Sequence, residues 1–484
     1  MAVLVIDIGS SSVRALLYDD EARLIPDATV IEAQEILTEP QGAATLDMLA
    51  VQARVERCVD RILLHPAAAQ IRIVGTDTLV GNLLAVDRAG LPLTPVYTYA
   101  DTRSAESVKA LRARVDAEKK HQDTGCLLHT AYHPARLDWL RQTQPQQFRE
   151  VAQWTDIGTY LLRQWLGAAP TSYSAASWSG LFNRETLDWD VEWLDILGVR
   201  RDQLPDLADY DAFQTGLLPA FAERWSALRD VPFCLVVGDG VAANVGAGCV
   251  RRTDLALTVG TTAALRTMSD EALPPVPAGL WSYRAKRNLH LIGGATSEGG
   301  NVYRWAMETL ALPDARAVEQ ALAGRAPDAH GLTVLPLLAG ERSPGWLPDA
   351  TGSIVGLRLS TTPLDILQAA LEGVAHRLAL VAEQVYALTG DSPRIVASGG
   401  ALRASPVWGQ MIANALNQPL HMTTENELTA RGTAILALHA LRGAALSDFA
   451  PTLSRNIQPQ AEVVAILRRA RDRQVALYNK LRGS

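Results

Sequence analysis

Residues 3–20, VLVIDIGSSSVRALLYDD, run apolar, break at Asp7 and at Gly9-Ser10-Ser11-Ser12, and resume as a second apolar run. Two such runs joined by a short polar turn predict a β-hairpin. The unit returns at 255–267, LALTVGTTAALRT, with Gly-Thr-Thr in the place of Gly-Ser-Ser. Between and beyond these units the pattern predicts a helix near 46–64, a strand at Ile71–Gly75 and a hairpin turn at Asp87–Gly90. Apolar positions three and four apart in RLDWLRQ and YLLRQWLG predict helices across 104–166. VPFCLVVGDGVAANVGAGCV reads as strand, tight turn and small-residue helix. EGGNVYRWAME (298–308) places a glycine pair before a helix, and 394–416 reads as strand, Gly-Gly turn and helix. ALPPVPAG (272–279) reads as a loop. Strands alternating with helices make the class α/β. Two like units, beginning near 3 and 255, predict two domains, 1–250 and 251–484.

Composition narrows the function classes. A chain of 484 residues is too long for one core. Its net charge is −7, with no run of Lys or Arg longer than two, which argues against a nucleic-acid partner. Four scattered cysteines without a C-x-x-C suit reduced thiols in a cytoplasmic protein. No positive region precedes the first apolar stretch, and Asp7 interrupts it, so no signal peptide is expected. No uncharged apolar run reaches the ~18 residues that span a bilayer, so no membrane is expected either.

The hydroxyl-rich turns carry the chemistry. A turn of Gly, Ser and Thr presents backbone N–H groups and hydroxyls with little bulk, which suits a phosphate. One such turn is also an ordinary hairpin connector. Two equivalent turns could grip successive phosphates of one nucleotide. Asp7, at a strand end, is either a turn cap or a carboxylate that holds Mg²⁺ through water. Asp239, before a helix, is an N-cap or a catalytic acid at a cleft. Neither a P-loop nor a Rossmann fingerprint is present. His129 and His133 lack a third ligand nearby, and tryptophans such as Trp139, Trp165, Trp305 and Trp408 read as core.

In order along the chain, DIGSSSVRA (7–15), ADTRS (100–104), GDGVAANVGAG (238–248), TVGTTAALR (258–266), GGATSEGGNVYRW (293–305), the run 398–420 and ELTARGTAILAL (427–438) resemble the FGGY carbohydrate kinases, within the actin-like and hexokinase-like ATPases. The resemblance implies two ribonuclease-H-like domains flanking a cleft, with ATP and Mg²⁺ as nucleotide and metal. It makes Asp239 the catalytic base and places Asp7, with Asp239 beside it, on the metal side. Gly9, Ser10 and Ser11 match the first phosphate loop, and Gly260, Thr261 and Thr262 the second. Gly300, Gly399, Gly400 and Ala401 match the nucleotide pocket. Asp101 and Arg103 match a sugar-side motif, with Tyr99 as an aromatic wall. Val80 and Gly81 stand where relatives carry a polar pair touching the sugar, a departure that bears on substrate identity.

TGCLLH (124–129), 173–190 and 335–357 look most like gluconate kinases. The expected reaction is therefore phosphorylation of gluconate at its terminal hydroxyl. Arg103 and Arg136 are the expected carboxylate partners, with His129 and Tyr132 as neighbours; pairing of both arginines with acids such as Asp101 or Asp138 is the alternative. The alternative substrates are xylulose, another ketose or a polyol. From another class, the alternative is an actin-like ATPase controlling a protein partner. The expected partners are a small-molecule sugar or sugar acid and, in a homodimer, a second copy of the chain.

Overall fold

The computed structural model describes residues 1–271, 275–390 and 393–482. Of the loop expected at 272–279, the first three residues lie outside the described ones, and 275–279 hold neither helix nor strand.

The opening hairpin forms as the pattern predicts. Ala2–Ile8 pairs antiparallel with Ser12–Tyr18, and the Gly9 N–H closes the turn on the Ser12 carbonyl at 2.9 Å. Asp254–Val259 and Ala263–Ser269 repeat this, the Gly260 N–H reaching the Thr262 carbonyl at 2.9 Å. Each hairpin seeds a sheet. The first runs, in spatial order, Val237–Gly238, Ile71–Thr78, Ala2–Ile8, Ser12–Tyr18, Leu24–Ala33. The second runs Trp281–Lys286, Leu289–Thr296, Ala263–Ser269, Asp254–Val259, Arg394–Ser398, Leu420–Thr423, Leu453–Ile457. Stripped of its two outermost strands, the second sheet has the order of the first.

In each repeat the first three strands are antiparallel and the fourth joins the first in parallel. A parallel neighbour needs a crossover, which helices supply. In the first repeat that helix is Met48–Ile62, close to its expected place. In the second, Pro363–Thr389 does the same. Its start is fixed by Pro363 and a capping box in which Thr362 and Asp365 bond each other's backbone N–H at 2.8 and 3.2 Å.

Two differences from the expected elements matter. The strand expected at Ile71–Gly75 continues through Thr76, Asp77 and Thr78, all buried. The helical stretch 104–166 is interrupted by the strand Gln153–Thr155, which pairs with Leu84–Val86.

The repeats meet through one helix of each. Asp239–Gly246 and Leu428–Arg442 each follow the fifth strand of a repeat, and they touch backbone to backbone. A Cβ on Gly246 would lie 1.9 Å from the Leu428 carbonyl, and one on Gly432 would lie 1.7 Å from the Ala242 carbonyl. Helix Leu428–Arg442 also covers the first sheet: Ala434, Ile435 and Leu438 share a core with Val3, Val5 and Ile73. Far along the chain, this helix closes the unit that its own half does not belong to. Among the described residues no helix is long and apolar enough to cross a membrane.

Candidate active site

Thr262 of the second hydroxyl turn lines a cavity that Asp239 also lines. Among the described residues, no hydrogen bond occupies the side-chain hydroxyls of Ser10, Ser11, Thr261 or Thr262. The nucleotide-side glycines gather around the second turn: the Gly300 N–H donates to the Gly260 carbonyl at 2.7 Å, and the Asn301 N–H to the Thr261 carbonyl at 3.1 Å. Gly399, at φ +110°, sits so close to Val259 that a Cβ there would be 2.2 Å from its carbonyl oxygen. Ala401 lies against Gly300, and Gly400 faces open space.

Three carboxyl groups stand between the turns. Asp7 is buried, with Arg14 at 3.7 Å. Burial pushes its carboxyl above the usual range, the Arg14 guanidinium acting against it. Asp77, missed in the sequence because its strand was expected to end at Gly75, is paired in register with Asp7 and fully buried. Burial, and then the charge of Asp7, hold Asp77 well above the carboxylate range, although the Thr433 hydroxyl donates to its Oδ2 at 2.6 Å. Asp77 Oδ1 is a buried atom with no partner.

Asp239 is the third. The sequence left it between cap and catalyst, and the cap reading is corrected: Gly238 is the N-cap, and Asp239 is the first residue of the helix. Its carboxyl is pushed up to about 6, first by burial, with Arg266 drawing it down and Asp7 raising it further. A carboxyl held near neutrality in a cleft is suited to accept a proton.

Asp239 lies at one side of a cavity of about 290 Å³. Val80, Gly81 and Tyr99 line it, as the resemblance implies for the sugar side. Its walls are aromatic: Trp178 stacks on Tyr283 at 3.9 Å and Trp281 on Tyr283 at 4.4 Å, with Tyr132 and Trp346 beside them. Aromatic faces of this kind pack against the C–H faces of sugars. The sequence reading of tryptophan as core holds for Trp165 and Trp408, which are fully buried, and also for Trp178, Trp281 and Trp346, which are buried in one core cluster and line the cavity as well.

Asp101 and Arg103 do not line this cavity. They pair with each other at 2.6 Å, the Arg103 guanidinium lies over Trp139 at 4.8 Å, and Asp101 accepts the Ala44 N–H at 3.1 Å. Arg136, the other expected carboxylate partner, is fully buried and donates through Nε and Nη1 to the Thr130 and Gly81 carbonyls, while its Nη2 is buried without a partner; it does not line the cavity. Both arginines thus hold loops rather than face the cavity. The arginines that do line it are Arg266, the last residue of TVGTTAALR, and Arg342, within the gluconate-kinase-like stretch 335–357; neither was named as a carboxylate partner from the sequence. His129 accepts the Ala131 N–H through Nδ1 at 3.1 Å and packs against Trp346; burial lowers its pKa to about 3.

TGCLLH has a structural purpose as well. Gly125, at φ +71°, lets the first unit reach the edge strand of the second: the Ser282 N–H donates to the Gly125 carbonyl at 2.9 Å, and a Cβ would lie 1.8 Å from the Ser282 carbonyl.

Family models describe the same two units. Residues 2–246 match the N-terminal domain, and 255–441 the C-terminal domain, of the FGGY family of carbohydrate kinases. The chain belongs to that family. It is 28% identical to a gluconokinase of Bacillus subtilis over 456 residues, covering 90% of this chain and 87% of the relative. The gluconate kinase of Lactobacillus acidophilus superposes with a TM-score of 0.90 at 25% identity, covering 99% of this chain and 98% of that one. The xylulose kinase of the same organism gives 0.91 at 25% identity, covering 100% and 99%. As an FGGY kinase the protein is a phosphotransferase that uses ATP and an alcohol group of a small-molecule sugar as acceptor.

Proposed function

We propose that this FGGY kinase phosphorylates gluconate at its terminal hydroxyl, giving 6-phosphogluconate. The observation that carries the reading is the place of Asp239, raised to about 6, in an aromatic cavity that it lines together with Thr262 of the second hydroxyl turn. The names of the Bacillus subtilis and Lactobacillus acidophilus relatives support gluconate as the acceptor. Xylulose is the second reading, because Val80 and Gly81 offer no side-chain polar group to the acceptor and a xylulose kinase superposes equally well.

In the proposed mechanism Gly9, Ser10 and Ser11 cradle one part of the triphosphate, and Gly260, Thr261 and Thr262 another. Gly300, Gly399, Gly400 and Ala401 leave room for the nucleoside. Asp239 takes the hydroxyl proton as the oxygen attacks the γ-phosphorus in line. Holding the groups in that line supplies most of the acceleration. Tyr99 walls the acceptor, while Asp101 and Arg103 brace the loop that carries it. The division 1–250 and 251–484 is proposed as the functional one, acceptor side and nucleotide side. A cytoplasmic placement belongs to the same proposal, supported by four buried free cysteines.

Asp7 and Asp77, side by side on neighbouring strands, are two carboxyl groups of the kind that a divalent cation takes. Asp7, with Asp239 beside it, would hold Mg²⁺ there, and the ion would supply charge neutralisation to the phosphate oxygens. Asp7→Ala is expected to lower the rate at limiting Mg²⁺ by about 10²-fold and to leave acceptor affinity unchanged. Excess Mg²⁺ restores part of that loss. A variant whose Mg²⁺ dependence matches the parent removes Asp7 from the metal side.

The function is tested by following ADP release with and without gluconate, xylulose and glycerol. Turnover that depends on gluconate and shows its highest kcat/KM there supports the proposal. Turnover indifferent to any added sugar would favour an ATPase acting on a protein partner.

A further inference from the structure

Two cations face the acceptor cavity without a carboxylate of their own. Arg266 lies on strand Ala263–Ser269, opposite Gly293, whose missing side chain leaves room for the arginine stem. It is only 8% exposed, its Nη1 is buried with no hydrogen-bond partner, and it makes no ion pair among the described residues. Arg342 comes from the loop between the strands Thr333–Leu335 and Ser353–Val355. The loop is pinned by the Ser343 N–H on the Ala295 carbonyl at 3.0 Å and by Trp346 Nε1 on the Gly279 carbonyl at 3.0 Å. One Arg342 Nη donates to the Thr296 carbonyl at 2.6 Å, and the guanidinium lies over the Tyr99 ring at 5.9 Å. Arg342 likewise makes no ion pair among the described residues.

The charges around the pair are few. Asp239 draws on Arg266, and Glu298 on Arg377 and Arg342, while the two arginines repel each other. Asp239, raised to about 6, is ionised at neutral pH and offsets the charge of Arg266, whereas Glu298, raised to about 7, carries only part of a negative charge and is shared with Arg377. One buried and one half-buried cation, mutually repelling and facing one ionised carboxylate, make a cavity that gains from an incoming anion. The charge of Arg266 acts on Asp239, the reacting end, whereas the Arg342 guanidinium lies over the ring of Tyr99, the acceptor-side wall, at 5.9 Å. In a six-carbon sugar acid the carboxylate is at the opposite end of the chain from the terminal hydroxyl.

Building on the gluconate reading, we propose that Arg342, backed by the charge of Arg266, receives the carboxylate of a sugar-acid acceptor and sets the preference for acids over neutral sugars and polyols. A planar guanidinium with free donors matches a carboxylate in shape and charge, and a neutral CH₂OH in that place leaves the cation unpaired.

The test compares D-gluconate with D-glucitol, which carries CH₂OH where gluconate carries the carboxylate, in the parent and in Arg342→Gln and Arg342→Lys. The parent is expected to prefer gluconate by about 10²-fold in kcat/KM, from hydrogen bonds to a charged group. Arg342→Gln lowers kcat/KM for gluconate by about 10²-fold, changes it for glucitol by less than about threefold, and leaves KM for ATP unchanged. Arg342→Lys, which keeps the charge and loses the fork, falls between. It also carries the comparison if the glutamine variant does not fold. Equal losses on both acceptors, or an unchanged gluconate rate, overturn the role of Arg342 while leaving the gluconate reading in place. A parent enzyme that does not prefer gluconate to glucitol overturns both.

Discussion

Asp239→Asn is expected to fold, to bind ATP, and to lose phosphoryl transfer by about 10²–10⁴-fold, the range found when a general base is removed. Asparagine keeps the volume, and Gly238 rather than Asp239 caps the helix, so the substitution removes proton acceptance and little else. The pH profile provides an independent readout. With its carboxyl held at about 6, Asp239 is ionised and competent above that pH and protonated below it. Activity is therefore expected to fall about tenfold per unit as pH drops below 6, and this limb disappears in the asparagine variant. A variant within a few-fold of the parent, or one that keeps the acid limb, would take the base role away from Asp239.

Gly432→Ala is expected to destabilise the protein by about 3 kcal/mol and to lower activity with it. Helix propensity pulls the other way, since alanine is better than glycine inside a helix by about 1 kcal/mol. Space decides the sign. The new Cβ would lie 1.7 Å from the Ala242 carbonyl oxygen, less than half an ordinary contact, and the obstacle is backbone that no rotamer change can move. Helices Asp239–Gly246 and Leu428–Arg442 would have to part, shifting Asp239, at the start of one of them, relative to the turns it serves. Gly324→Ala is the control, because the nearest atom to its Cβ is at 3.8 Å. Urea unfolding and steady-state rates on both variants check the prediction; a Gly432→Ala protein as stable as its parent would show that the two helices can separate without cost.

The parts of the molecule legible in the sequence are those whose chemistry is local. The two hairpins were readable because a glycine flanked by hydroxyls between apolar runs has few other uses, and their recurrence exposed the duplicated architecture. Asp77 was hidden because Thr76, Asp77 and Thr78 look like the end of a strand, and only the sheet pairing reveals that they are buried. Gly246 and Gly432 gave no signal of their own, since each is required by a carbonyl nearly two hundred residues away. Arg103 was the natural carboxylate partner by motif, but Asp101, two residues before it, captures the guanidinium. Arg266 and Arg342 lie in two separate quoted stretches, 258–266 on a strand and 335–357 in a loop, and become a pair only when the fold brings them to one cavity. Trp178 and Trp281 are core, as their apolar surroundings implied, and that they also wall a cavity was not legible in the sequence.

The central claim is that the acceptor is a sugar acid. The most direct measurement offers gluconate, xylulose and glycerol together in equal excess, with limiting ATP, and identifies the phosphorylated products by mass spectrometry. The account predicts that phosphogluconate takes nearly all of the transferred phosphoryl groups. A mixture dominated by xylulose phosphate or glycerol phosphate would contradict it.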